Sequence, residues 1–115
     1  MSEHTILERL AATMPRRRSE SAGKSYTRQL LDGGPAKCAK KFGEEAIEAV
    51  IAATGQDAAA LTSEAADVLY HLLVMLESRD VALADVLAVL EKRQSMSGLE
   101  EKASRSAPPS AGGKR

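Results

Sequence analysis

Apolar positions recur along this chain with helical spacing, and no stretch alternates apolar and polar residues as a half-buried strand would. The pattern predicts an all-α protein. Ile6, Leu7 and Leu10 fall on one side of a short amphipathic helix from Thr5 to about Met14. Pro15 is expected to end it, because the residue before a proline is pushed out of the helical region. The basic run from Arg16 to Lys24, with its serines and a glycine, reads as a loop. A short helical piece follows from Ser25 to Leu31 and is stopped by Gly33 and Gly34. Pro35 then sits where the first turn of a helix tolerates proline best. That helix runs to about Thr54 and stops at Gly55, after which Asp57 serves as N-cap of another that reaches about Ser78. A last helix covers roughly Ala82 to Arg93. Residues 1–94 thus read as one helical domain, and the Ser-, Gly- and Pro-rich residues 95–115 as a disordered tail that buries too little apolar surface to order itself.

Composition narrows the function classes. With 16 basic and 16 acidic residues among 115, the chain carries no net charge, so affinity for a polyanion has to come from local clusters, which argues against general nucleic-acid binding. Cys38 is the single cysteine, which rules out an intramolecular disulfide framework and points to the reducing cytoplasm. The charged, periodic N-terminus lacks the apolar core of a signal peptide. The most apolar stretch, Val68 to Leu76, is interrupted by His71 and is too short to span a bilayer, so no membrane association is expected.

The chemistry-bearing residues are acids on two successive helices. At about 100° per residue, Glu44, Glu45 and Glu48 fall within an arc of roughly 100° together with Lys37 and Lys41. Cys38, Phe42, Ala46, Ala49 and Ala53 are expected across the helix from them. Taken alone, that face reads as a solvated surface with i,i+4 ion pairs such as Lys41 with Glu45. The next helix changes the reading. Glu64 and Asp67 lie one turn apart on a helix that is apolar nearly all round, where a bare carboxylate costs several kcal/mol and so needs a cation beside it. The short connection at Gly55 and Gln56 makes the two helices antiparallel neighbours and lets the acids converge. Carboxylates so placed, without clustered Cys or His, suit Mg²⁺ or Mn²⁺ and argue against zinc. Such a cage suits phosphoryl or pyrophosphoryl substrates, with Lys37, Lys40 and Lys41 available to an anionic leaving group.

The spacing Glu44-Glu45, two residues, Glu48, fifteen residues, Glu64, two residues, Asp67 resembles the signature of the all-alpha (MazG-like) nucleotide pyrophosphohydrolases. More narrowly, the stretches SYTRQLLDGGPAKCAKKFGEEAIEAVIAA and EAADVLYHLLVML are similar to the phosphoribosyl-ATP pyrophosphohydrolase family, over about Leu7 to Arg93. The resemblance implies Mg²⁺-dependent cleavage of phosphoribosyl-ATP between its α and β phosphates, giving phosphoribosyl-AMP and pyrophosphate in histidine biosynthesis. It implies Glu45, Glu48, Glu64 and Asp67 as metal ligands. Glu44, Glu45 and Glu48 become the catalytic acids, Glu44 as either a further ligand or the base that orients water. It also sets Ser25, Tyr26 and Thr27 before the Lys-rich turn, so that Lys24, Tyr26, Thr27 and Arg28 are candidates for holding substrate.

Each of these has a structural reading beside the functional one. Arg28 is either a phosphate contact or a surface arginine; Tyr26 either stacks on a base or packs. Tyr70 and Cys38 are expected in the core. His71, four residues after Asp67, either orients its carboxylate or is a satisfied buried histidine. Arg16, Arg17 and Arg18 are either solvated or aid phosphate binding. The Glu64–Asp67 helix has more apolar circumference than its own neighbours cover, which predicts a homodimer with a four-helix core. Two other functions stand beside the first. One is house-cleaning hydrolysis of dUTP or modified nucleoside triphosphates with the same cage; the other is a non-catalytic helical dimerisation module.

Overall fold

The computed structural model describes residues 4–21, 23 and 25–95. Among them all regular structure is helical: α1 Ile6–Arg17, α2 Tyr26–Asp32, α3 Gly34–Gly55, α4 Ala58–Ser78 and α5 Leu83–Gln94. The proposed tail lies outside the described residues from position 96 onward, as does Lys24. The chain divides into a unit ending at Leu83 and another starting at Ala84, the second holding nearly all of α5. That helix carries Asp85 in its first turn and Lys92 and Arg93 in its last, the order that complements the helix dipole.

Side-chain caps set three of the helix starts. Thr5 and Glu8 form a capping box, with Glu8 N–H donating to Thr5 Oγ1 at 3.1 Å and Thr5 N–H to Glu8 Oε1 at 2.8 Å. Ser25 Oγ accepts from Arg28 N–H at 3.0 Å, and Asp57 Oδ1 from Ala60 N–H at 2.9 Å, as expected of that aspartate. Pro15 does not end α1. The helix continues to Arg17, because the proline ring already holds a helical φ and in the last turn only one ladder bond is lost. The chain then closes through tighter bonds, Arg18 N–H to Pro15 O at 3.2 Å and Ser19 N–H to Arg16 O at 3.1 Å.

No connecting residue separates α2 from α3. Gly33 is at once the C-cap of one and the N-cap of the other, and Gly34 turns the chain at φ 83° in the left-handed region open to glycine. The α3–α4 connection is nearly as short, so two long helices pack against each other as an antiparallel hairpin, with α1 and α2 both resting on α4. The core is small: Met14, Leu30, Cys38, Leu73 and Val74, with Leu7, Leu10, Ala11, Leu31, Tyr70, Met75 and Leu83 packed against it. Ile6 is 69% exposed and takes no part, because the first residue of α1 lies at the edge of the stripe formed by Leu7, Leu10, Ala11 and Met14.

Two expectations about α3 and α4 change. Cys38 and Ala52 are the buried residues of α3, and Glu45 lies seven positions, close to two full turns, from each. Glu45 therefore shares the inward stripe with Cys38 and does not stand across the helix from it, whereas Ala53 is exposed. On α4 burial is confined to its second half, around His71, Leu73 and Val74. Asp67 is exposed, as are Leu61 and Leu69 at its level, so the expected burial of that carboxylate is not provided by this chain. By length and composition α4 is long and apolar enough to cross a membrane, yet its second half is part of the core and its first half carries Glu64 and Asp67.

Arg18, expected in solvent or near phosphates, instead fastens the turn after α1 to the end of α4. Its Nε meets Glu77 Oε2 at 2.6 Å, its Nη2 reaches Asp80 Oδ1 at 3.3 Å, and the same nitrogen donates to the Glu77 carbonyl. A guanidinium on the last carbonyls of a helix satisfies acceptors that have no intrahelical partner.

Candidate metal centre and its surroundings

The hairpin brings acids from both helices together. One carboxylate oxygen from each of Glu45, Glu64 and Asp67 lies within 4.8 Å of the others. Glu45 and Glu64 are half-buried. Glu48 and Glu44 are exposed on α3; Glu48 acts on Glu64 as a charge but stands outside this triangle, and Glu44 is turned further from it. The sequence-derived set is therefore divided into an inner three and an outer two by the rotation of α3.

Negative charge is concentrated enough to disturb titration. Partial burial, and then the charges of Asp67, Glu48 and Glu45, push the Glu64 carboxyl above its ordinary value. A divalent cation among these oxygens would remove that repulsion. Three hard oxygen donors with no sulfur or imidazole beside them fit Mg²⁺ or Mn²⁺, which keep several waters and use few protein ligands.

Basic residues surround the acids unevenly. Lys41 Nζ lies 3.2 Å from Glu45 Oε2 and 4.0 Å from Glu44 Oε1, the i,i+4 pair anticipated from spacing together with an i,i+3 contact. Its ammonium is pushed up chiefly by the hydrogen bond to Glu45. Lys37 and Lys40 are exposed on the same helix. Arg28 has protein partners: its Nε meets Asp32 Oδ1 at 3.0 Å, and its Nη1 donates to the Glu20 carbonyl. Thr27 is fully buried, its hydroxyl bonded to that of Tyr70, so its side chain turns into the packing and not toward solvent.

Sequence reading did not anticipate how Tyr26 and His71 meet. The Tyr26 hydroxyl is 2.9 Å from His71 Nε2, and His71 Nδ1 is 2.7 Å from the Asp67 backbone carbonyl. The ring thus binds the main chain of Asp67 and not its carboxylate. Tyr26 and Tyr70 both present edges to it, with ring centroids 5.8 and 5.4 Å away. Nothing in the spacing of residues 45 positions apart signals such a pair. Two of its neighbours did carry a signal, since His71 interrupts an apolar run and Tyr26 is one of only two tyrosines.

A family model described as phosphoribosyl-ATP pyrophosphohydrolase matches residues 7–94. The chain belongs to that family. Among curated relatives, the phosphoribosyl-ATP pyrophosphatase of Dinoroseobacter shibae is 61% identical over 101 residues, covering 88% of this chain and 99% of its own. That of Cereibacter sphaeroides is also 61% identical, covering 88% and 98%. The protein of the same name from Jannaschia sp. is 57% identical, over 88% and 99%. A phosphoribosyl-ATP pyrophosphohydrolase is a hydrolase, so the acidic triangle sits within an enzyme and the non-catalytic reading falls. All the acids, and Tyr26 through Lys41, lie inside the matched span.

Proposed function

We propose that the acidic triangle of α3 and α4 holds the Mg²⁺ with which this phosphoribosyl-ATP pyrophosphohydrolase releases pyrophosphate from phosphoribosyl-ATP, the histidine-biosynthesis step its family carries out. The convergence of Glu45, Glu64 and Asp67 within 4.8 Å, inside a chain of this family, supports the reading. Bound there, the ion supplies charge neutralisation to the phosphates and lowers the pKa of water at neutral pH.

The chain's own groups divide the remaining work. Glu45, Glu64 and Asp67 hold the ion, with Glu48 one turn beyond Glu45 as the fourth ligand. Glu44, exposed on α3 outside the triangle, is the candidate to orient or deprotonate the attacking water. Lys41, 3.2 Å from Glu45 Oε2, would take the negative charge of the departing pyrophosphate, with Lys37 and Lys40 beside it on α3. Tyr26 and Arg28 on α2 are the candidates for the nucleoside and phosphates.

The active form in this proposal is a cytoplasmic homodimer. Ile47, Val50 and Ile51 on α3 and Leu61 and Leu69 on α4 are large apolar side chains left open, between 37% and 61% exposed. A second hairpin packed on the first covers such a face and completes a four-helix core.

The test is pyrophosphate release from phosphoribosyl-ATP with and without Mg²⁺, beside dUTP and dATP. Mg²⁺-dependent release from phosphoribosyl-ATP alone is expected. Release from the simple triphosphates only would move the same cage to nucleotide house-cleaning, and release without any divalent ion would refute the metal role.

A further inference from the structure

Tyr26 inverts the usual arrangement of a tyrosine at a protein surface. A packing tyrosine buries its ring and leaves the hydroxyl to water. Here the residue is 48% exposed, while its hydroxyl is 2.9 Å from Nε2 of the buried His71. The proton arrangement follows from the acceptors. The Asp67 carbonyl has no proton to give, so His71 Nδ1 donates to it at 2.7 Å. In the neutral ring Nε2 is then an acceptor and the Tyr26 hydroxyl its donor. The main chain of Tyr26 is held as well, because Ser25 and Thr27 on either side of it are buried. Ser25 Oγ caps α2, and the Thr27 hydroxyl is bonded to that of Tyr70, which packs against the core. An open aromatic surface fixed at both ends loses little rotamer freedom when a flat ligand lies on it. The imidazole that fixes it is bonded to the main chain of Asp67, whose carboxylate belongs to the acidic triangle.

We propose that the Tyr26 ring is the stacking platform for the purine of the substrate, and that His71 is its positioning residue, fixing the ring from the Asp67 main chain. The inference rests on phosphoribosyl-ATP being the substrate and deepens that reading by giving its base a site. The Tyr26 hydroxyl is one imidazole removed from the Asp67 main chain, which suits a ligand with its phosphates at the triangle and its base beyond them. Every base has a π face, so the platform supplies affinity for the nucleoside and not choice among bases. The base lies away from the bond being cleaved, so the contact is made alike in ground and transition states and acts on KM more than on kcat.

The test is binding of two products to the full chain: phosphoribosyl-AMP, which carries the base, and pyrophosphate with Mg²⁺, which does not. With two tyrosines and no tryptophan, the emission of tyrosine reports the contact. Phosphoribosyl-AMP is expected to quench it in wild type, and pyrophosphate is not. Tyr26→Leu should weaken phosphoribosyl-AMP binding about fivefold to a hundredfold, the range of one base–aromatic stack. It should also abolish the quenching, leave pyrophosphate affinity unchanged, and raise KM for phosphoribosyl-ATP more than it lowers kcat. The unchanged pyrophosphate affinity shows in the same experiment that the variant is folded. His71→Leu and Tyr26→Phe each free the ring and should give a smaller loss of the same kind, while His71→Gln returns an acceptor and should recover affinity. In a Tyr26→Leu background His71→Leu should change nothing further. A merely structural His71 would weaken both products and do so in that background too, which would overturn the positioning role. If Tyr26→Leu binds phosphoribosyl-AMP like wild type, the platform is wrong and the substrate reading stands. If wild type releases no pyrophosphate from phosphoribosyl-ATP, the substrate reading falls and the platform with it.

Discussion

Glu64 is held where its charge is least welcome. Its carboxyl is pushed up by partial burial and by three neighbouring acids, so the folded chain binds that proton more tightly than the unfolded one. Stability of the metal-free protein from this group therefore falls as pH rises through the Glu64 titration, because the native state holds more protons there than the unfolded state. Glu64→Gln should raise the melting temperature of the metal-free protein at neutral pH and remove the Mg²⁺-induced rise seen in wild type. In wild type that rise should grow with pH across the same range, since the ion needs the carboxylate ionised. Calorimetry at several pH values with and without Mg²⁺ checks this; a Glu64→Gln protein with an undiminished Mg²⁺ shift would exclude Glu64 as a ligand. At this scale the sequence was informative about which helices bring acids together, because two helices with fixed spacing project their charges onto each other. It did not separate Glu45 from Glu44 and Glu48, because a rotation of α3 by less than a third of a turn decides which of them faces α4. His71 was equally ambiguous, because an i,i+4 spacing does not distinguish a carboxylate partner from a carbonyl one.

At the scale of elements, the helix starts and the glycine stops were legible because capping chemistry is local. Asp57 carries the start of α4 by one hydrogen bond, so Asp57→Ala should cost about 1 kcal/mol. Gly34 is more demanding, since any Cβ at φ 83° meets its own backbone; Gly34→Ala should cost about 1–2 kcal/mol although nothing else lies near it. Denaturant unfolding of both variants gives the two numbers directly, and a Gly34→Ala protein as stable as wild type would mean the chain does not hold that angle in solution. Pro15 was misjudged because the push of a proline on the residue before it is a bias, which the rest of α1 outweighs at the buried Met14. Arg18 was out of reach of any local pattern, its partners being some 60 residues away.

For the whole molecule, the large apolar side chains left open on α3 and α4 are the feature that bears on assembly. Helical periodicity showed that α4 has too much apolar circumference; it did not show that the uncovered part lies beside Asp67 and not elsewhere. Under the proposed dimer, Val50→Glu should shift the sedimenting species to monomer, because a charge would be buried in the pairing face. Specific activity should fall with it, and with dilution of the wild-type protein. A dimer that survives Val50→Glu unchanged would place the contact on another surface.

The joint between α2 and α3 also bears on which chain lengths this enzyme tolerates. With Gly33 belonging to both helices, there is no slack in which to absorb an extra residue. One insertion there would rotate α3 by about 100° relative to α2, so that Tyr26 and its neighbours would meet the α3–α4 hairpin in a different register. Substitutions can be accepted one at a time around this corner, but insertions and deletions cannot. The register across the α2–α3 corner is therefore fixed by the number of its residues as firmly as by their identities.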